Sequence, residues 1–227
     1  MLGEFITRNK VLLGKLLAAF LAFGLGLAVF ALIADEVHEG ATTAFDSTIL
    51  LWINARGNPA LDWFFIHFTD LGGVSFLAVL TVIITAFLVY KKSYYRALLM
   101  LTAVGGAAML NLIIKGIFER SRPDLWTHLV TEDNFSFPSG HAMGSAAFAC
   151  AIIALLWGSK WQPLAIGLGI LYVFLVGFSR LYLGVHFPTD ILAGWALAVA
   201  WVSVVTGLVY TRVYRTRRRK LAEAEKI

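Results

Sequence analysis

The sequence contains a single cysteine, Cys150, which excludes an internal disulfide and a zinc site built from cysteines. Cys150 lies in an apolar run and reads as a small core residue. Charge is also scarce: Asp, Glu, Lys and Arg make up 15% of the 227 residues, against about 25% in soluble domains. Disordered chains are rich in charge and poor in apolar side chains, so disorder is excluded. There is no internal repeat, low-complexity tract or polar linker, and residues 1–227 read as one domain. The P-loop, the Rossmann glycine fingerprint, CxxC and HExxH are all missing.

What the sequence does have is apolar surface. Hydrophobic residues make up 59%, against about 45–50% in soluble domains, more than a soluble globule of this size can bury. An all-α integral membrane protein is expected. A spanning helix needs about 20 mostly apolar residues, and charge-poor runs occur at 16–34, 71–90, 97–114, 142–157, 164–178 and 191–209. These predict six transmembrane helices. The first run is longer than a signal-peptide core and lacks a small-x-small cleavage site, so it is expected to remain as a span.

The net charge of +5 does not point to nucleic acid, because the cations border the apolar runs. With both termini inside, 14 of the 19 Lys and Arg residues fall on the cytoplasmic side, as the positive-inside rule favours. A basic cluster at 215–220 reads as a stop-transfer flank. The five outer cations are Arg56, Lys115, Arg120, Arg122 and Arg180. Between the first two spans, residues 35–70 are too polar to cross. Phe45, Ile49, Trp52 and Ile53 share one helix face there, Gly57-Asn58-Pro59 breaks the chain, and 61–68 is rich in aromatics. An interfacial helical segment is expected after the first span.

Three polar clusters map to the outer ends of spans three to six. They are Lys115 to Arg122-Pro123, Pro138-Ser139-Gly140-His141, and Ser179-Arg180 through His186 to Asp190. Taken singly, each also fits an interfacial anchor, a helix cap or an ion pair. Their convergence on one membrane face favours a site. Lys115 and Arg122 are seven residues apart, a spacing that puts both on one helix face if the helix continues. Glu119 and Arg120 flank this cluster and could pair with each other. Two arginines and a lysine suit a phosphoryl dianion. The backbone N–H groups of Ser139, Gly140 and His141 open a helix, where anions bind. Pro188 suits a helix first turn just after His186. Asp190 could reach one ring nitrogen of His186, leaving the other as a nucleophile, with His141 as the acid for the leaving oxygen. His128, Glu132 and Asp133 lie in the neighbouring loop and could touch a headgroup.

Lys115-x6-Arg122-Pro123, Pro138-Ser139-Gly140-His141 and Ser179-Arg180-x5-His186-x3-Asp190 resemble the three-part signature of the type-2 phosphatidic acid phosphatase family, which includes bacterial phosphatidylglycerophosphatases and undecaprenyl diphosphate phosphatases. Every signature position is filled, in order, within 115–190. The resemblance implies a six-helix membrane enzyme that hydrolyses lipid phosphates at the extracytoplasmic face without metal or other cofactor. It implies that His186 takes the phosphoryl group, Asp190 orients it and His141 protonates the leaving group, while Lys115, Arg122, Ser139, Gly140 and Arg180 hold the phosphate. By analogy the partners are the bilayer and a phosphatidic-acid-like, phosphatidylglycerophosphate-like or polyprenyl diphosphate lipid. The signature also occurs in soluble vanadate-dependent haloperoxidases, against which six apolar runs argue. A phosphotransferase passing the group from His186 to another lipid, and a non-enzymatic anionic-lipid binder or transporter, are the alternatives.

Overall fold

The structure, a computed structural model, describes residues 2–224, with side chains from 13 to 216. The described residues form eight α-helices and no strand: α1 (Leu2–His38), α2 (Thr43–Asn54), α3 (Pro59–Thr69), α4 (Val74–Tyr90), α5 (Tyr94–Phe118), α6 (Gly140–Leu155), α7 (Gln162–Tyr182) and α8 (Pro188–Ala224). A 3-10 turn, Asp70–Gly72, joins α3 to α4. In the basic cluster at 215–220 the side chains beyond Thr216 lie outside the described residues, as do those of Arg8, Lys10 and Lys226.

Each of the six apolar runs falls on a helix, but four helices are long and apolar enough on their own to cross a membrane: α1, α5, α7 and α8. A fifth span results if α3 with its 3-10 turn and α4, bent by 44°, cross together. α6 has 16 residues, about 24 Å at 1.5 Å per residue, short of a hydrocarbon core of about 30 Å. It can be short because it sits in the middle of the bundle, against α5, α7 and α8.

That central position follows from composition. The inner faces of α5, α6 and α8 are lined with small residues, among them Ala103, Ala107, Ala146, Ala147, Ala151, Ala193 and Ala198. In lipid, such residues let helices approach closely enough for backbone packing to hold them. Gly26 shows the tolerance: a Cβ there would stand 2.6 Å from the Ala196 carbonyl oxygen, so α1 lies against α8 only because residue 26 has none. The outer faces of α1, α4 and α7 carry Leu17, Phe20, Leu25, Val82, Ile83, Leu168 and Leu171, all exposed. An apolar surface this extensive belongs in a bilayer.

The face of α2 differs from expectation. Phe45 and Trp52 point outward, and the buried residues are Asp46, Leu50 and Ile53. The apolar pattern alone missed this because a carboxylate, paired as described below, sets which side turns inward. α3 begins where the Gly57-Asn58-Pro59 break was expected, with the Asn58 side chain accepting from the amides of Ala60 and Leu61 at 3.1 Å each. A small second core of Ile53, Phe65, Tyr182, Leu183 and Val185 clamps α2 and α3 onto the end of α7. That clamp holds the 35–70 segment beside the loop carrying His186.

Candidate active site

α5 ends at Phe118 because Glu119 takes a left-handed backbone conformation, φ 46°, with its amide on the Lys115 carbonyl at 3.0 Å. Arg122 is therefore in the following loop, not on the helix face of Lys115. The two cations meet instead through a main-chain atom: the Lys115 ammonium and Arg122 Nη2 (3.5 Å) both donate to the Phe135 carbonyl. Lys115 is buried although it carries a charge.

α6 opens the second cluster. Ser139 is its N-cap, its hydroxyl accepting from the Ala142 amide at 3.4 Å. The Ser139 amide is not free, as expected from sequence, but donates to the Asp190 carbonyl at 3.1 Å, tying the start of α6 to the start of α8. This leaves the amides of Gly140 and His141 as the first-turn donors where an anion could bind. Gly194 permits the crossing: a Cβ there would be 3.0 Å from the Ser139 carbonyl oxygen. His141 lies within electrostatic reach of Arg180, His186, Arg122 and Lys115.

Arg180, in the last turn of α7, is 1% exposed. Its Nη1 donates to Thr69 Oγ1 at 2.8 Å and its Nη2 to the Glu132 carboxylate. Its Nε is buried with no acceptor. Glu132 also accepts from Arg122 Nη2, at 3.4 Å, so one carboxylate joins the two arginines. Arg120, Arg122, Glu132 and Phe135 line an open cavity of about 370 Å³.

His186 and Asp190 are buried just before and within the first turn of α8, which Pro188 begins. His186 Nδ1 lies 3.3 Å from Asp190 Oδ2, and His186 Nε2 lies 3.2 Å from Arg122 Nη1. A guanidinium can only donate, so Nε2 is the acceptor and the ring hydrogen sits on Nδ1, facing the carboxylate. Burial, then the charges of Arg180, Arg122 and Lys115, hold His186 well below the usual imidazole value. The ring is thus neutral with its Nε2 lone pair aimed at the cations. The eight residues picked from sequence, Lys115, Arg122, Ser139, Gly140, His141, Arg180, His186 and Asp190, converge at one end of the bundle.

Three more groups join them that sequence reasoning missed or misread. Arg120 does not pair with Glu119; it bonds Asp190 Oδ1 at 2.6 Å and Asp46 Oδ2 at 2.8 Å. Thr69 supports Arg180, and Asp46 lies fully buried in α2, within the apolar pattern of 45–53. The available signal was an acidic residue inside an otherwise apolar helix pattern.

This arrangement has counterparts. The PAP2 superfamily matches residues 96–214, more than half of the sequence. The chain belongs to the PAP2 superfamily. Phosphatidylglycerophosphatase B of Bacillus subtilis (strain 168) is 36% identical over 183 residues, covering 78% of this chain and 90% of that protein. An undecaprenyl-diphosphatase of Sulfolobus acidocaldarius is 32% identical over 124 residues, covering 52% of this chain and 57% of that protein. Among solved structures, a transmembrane PAP2-type phosphatidylglycerolphosphate phosphatase from Bacillus subtilis superposes with a TM-score of 0.75 at 35% identity, covering 81% of this chain and 95% of that one. The family resemblance read from the motifs is thereby established, as is the expected enzyme class: these relatives are named as phosphatases of lipid phosphates.

Proposed function

We propose that this PAP2 membrane phosphatase hydrolyses the phosphomonoester or diphosphate of a lipid, of the phosphatidic acid, phosphatidylglycerophosphate or polyprenyl diphosphate kind, through a phosphohistidine on His186. The observation that carries the reading is the His186 ring, buried and neutral, with Nδ1 on Asp190 and Nε2 facing the Arg122 guanidinium. The substrate phosphoryl is held by Lys115, Arg122, Arg180, the Gly140 and His141 amides and the Ser139 hydroxyl, and it turns the arginines from Nε2 to its own oxygens. The Nε2 lone pair attacks phosphorus. The bond to the lipid oxygen breaks, and His141 gives that oxygen a proton. Asp190 stabilises the positive charge that forms on the phosphorylated ring. Water then attacks the phosphohistidine, His141 takes its proton back by microscopic reversibility, the N–P bond breaks, and inorganic phosphate leaves. The relatives' names support the substrate class.

In the same reading the chain is one domain with six spans, α1, α4, α5, α6, α7 and α8. α2 and α3 lie at the outer interface, the termini are cytoplasmic and the site faces the extracytoplasmic side. In support, Lys15 lies over the rings of Trp157 and Tyr210, gathering the start of α1 and the ends of α6 and α8 at the end of the bundle away from the site. Lys91, Arg96, Lys160 and Arg212 belong to that end by chain order, which agrees with the positive-inside bias. The test is to incubate purified protein in detergent with a panel of lipid phosphates in excess EDTA and measure released phosphate. Release is expected from at least one class. No release from any of them, or release only after Mg²⁺ is restored, overturns the proposal.

A further inference from the structure

Arg120 stands outside the signature; it borders the same cavity as Arg122, but its two Nη atoms are taken up by partners other than the phosphate donors. Nη1 donates to Asp190 Oδ1 at 2.6 Å and Thr189 Oγ1 at 2.8 Å. Nη2 donates to Asp46 Oδ2 at 2.8 Å and Thr42 Oγ1 at 3.3 Å. The Phe187 ring lies beneath it, 4.2 Å from Cζ. Asp46 in turn accepts from the Thr189 amide at 3.2 Å and the Thr189 hydroxyl at 2.6 Å. All four of these polar partners belong to α2, the turn before it or the start of α8, and none is a group that would meet substrate.

The arrangement has two physical effects on His186. An aspartate bonded to a ring through one oxygen can still turn about its last torsion, whose preference is broad. Here Oδ2 takes His186 Nδ1 and the Phe187 amide, at 3.3 and 2.9 Å, while Oδ1 is fixed by Arg120. The carboxylate plane, and through it the ring, is locked. The second effect is charge. One guanidinium between two buried carboxylates leaves the cluster net negative, so Asp46 offsets Arg120 and keeps the Asp190 charge effective toward the cationic phosphoimidazole.

We propose that Arg120 and Asp46 are positioning residues for phosphoryl transfer, and that the 35–70 segment serves the reaction by delivering Asp46 to the back of the His186–Asp190 pair. The inference rests on His186 being the nucleophile.

Arg120→Lys keeps the charge but cannot span both carboxylates. The double variant Arg120→Gln with Asp46→Asn removes one charge of each sign, so it avoids stranding two buried carboxylates, and it removes the lock. Both should fold, by thermal melting in detergent. Each should lose about 100-fold in kcat, the cost of a misplacement on the order of 1 Å. KM and the inhibition constant of inorganic phosphate should stay within about threefold, since no phosphate contact is lost. The double variant should also form phosphohistidine more slowly in a single turnover. A wild-type kcat in either folded variant overturns the proposal. So does a loss confined to KM, which would make Arg120 a substrate ligand, and so does unfolding of both variants, which would leave the cluster a purely structural role. His186→Ala is the control for the underlying reading: turnover surviving there refutes the phosphohistidine itself, whereas an inactive His186→Ala beside a fully active Arg120→Lys refutes only the positioning role.

Discussion

Removing the Glu132 charge should tighten the binding of phosphate. The Glu132 carboxylate joins Arg180 Nη2 to Arg122 Nη2, the two guanidinium groups that the proposed mechanism assigns to the phosphoryl group. On that mechanism substrate and product must displace it. In Glu132→Gln the side chain keeps its shape and one acceptor oxygen but loses the negative charge. A hydrogen bond to a charged group contributes about 1.5–3 kcal/mol net. The Glu132 side chain is 25% exposed, and the amide retains one bond, so about 1 kcal/mol of competition should vanish. At 1.4 kcal/mol per factor of ten, this is about a fivefold lower inhibition constant for inorganic phosphate. The assay is inhibition of p-nitrophenyl phosphate hydrolysis by phosphate, with vanadate as a second anion, on wild type and variant side by side. An unchanged or higher inhibition constant in a folded variant would refute the reasoning, because the carboxylate would then not share the phosphate's donors.

His186→Ala should abolish turnover of every substrate, whereas His141→Ala should cost about 10²–10⁴-fold with a lipid alkoxide leaving group and far less with nitrophenolate; equal losses on both substrates would remove His141 from the acid role. Because burial and three cations hold His186 below the ordinary imidazole value, the folded ring stays neutral where an unfolded one takes up a proton. Nitrogen NMR of labelled histidine should therefore show His186 neutral with hydrogen on Nδ1 at pH 6, and stability should fall as pH drops below about 6.5; an imidazolium at pH 6 would contradict the assignment. Cysteines at Asn58 and Thr131 should react with an impermeant thiol reagent in intact cells, while those at Ser93 and Lys160 should not; the reverse pattern would invert the sidedness.

The clustering of the candidate-site residues was legible because much of their spacing is local. His186 and Asp190 are one helical turn apart, and Ser139 and Gly140 sit where a span begins. Helix class was legible too, since apolar runs of this length leave few other options in lipid. Span limits were less so: α6 is shorter than a hydrocarbon core and α4 starts at a bend, neither of which shows in the hydropathy of the run. Lys115 and Arg122 were placed on one helix because periodicity does not register the left-handed Glu119 that ends it. Asp46, Thr69 and Arg120 were out of reach for a different reason. Their side-chain hydrogen-bond partners lie 69 to 143 residues away, so no window of sequence contains the pair.

The unpartnered Nε of Arg180 bears on which anions the protein can tell apart. A carboxylate is flat and has two oxygens, and the one already present, Glu132, reaches Nη2 of each arginine but leaves Nε with nothing. A buried donor without an acceptor costs about 1–3 kcal/mol. Both Glu132 oxygens are engaged, one on each arginine, so neither is left for Nε. Under the mechanism proposed above, a phosphate, with three or more oxygens, can give Nη2 of each arginine and the idle Nε an oxygen apiece. A free fatty acid has two oxygens and cannot, although it carries a negative head at the same depth of the bilayer.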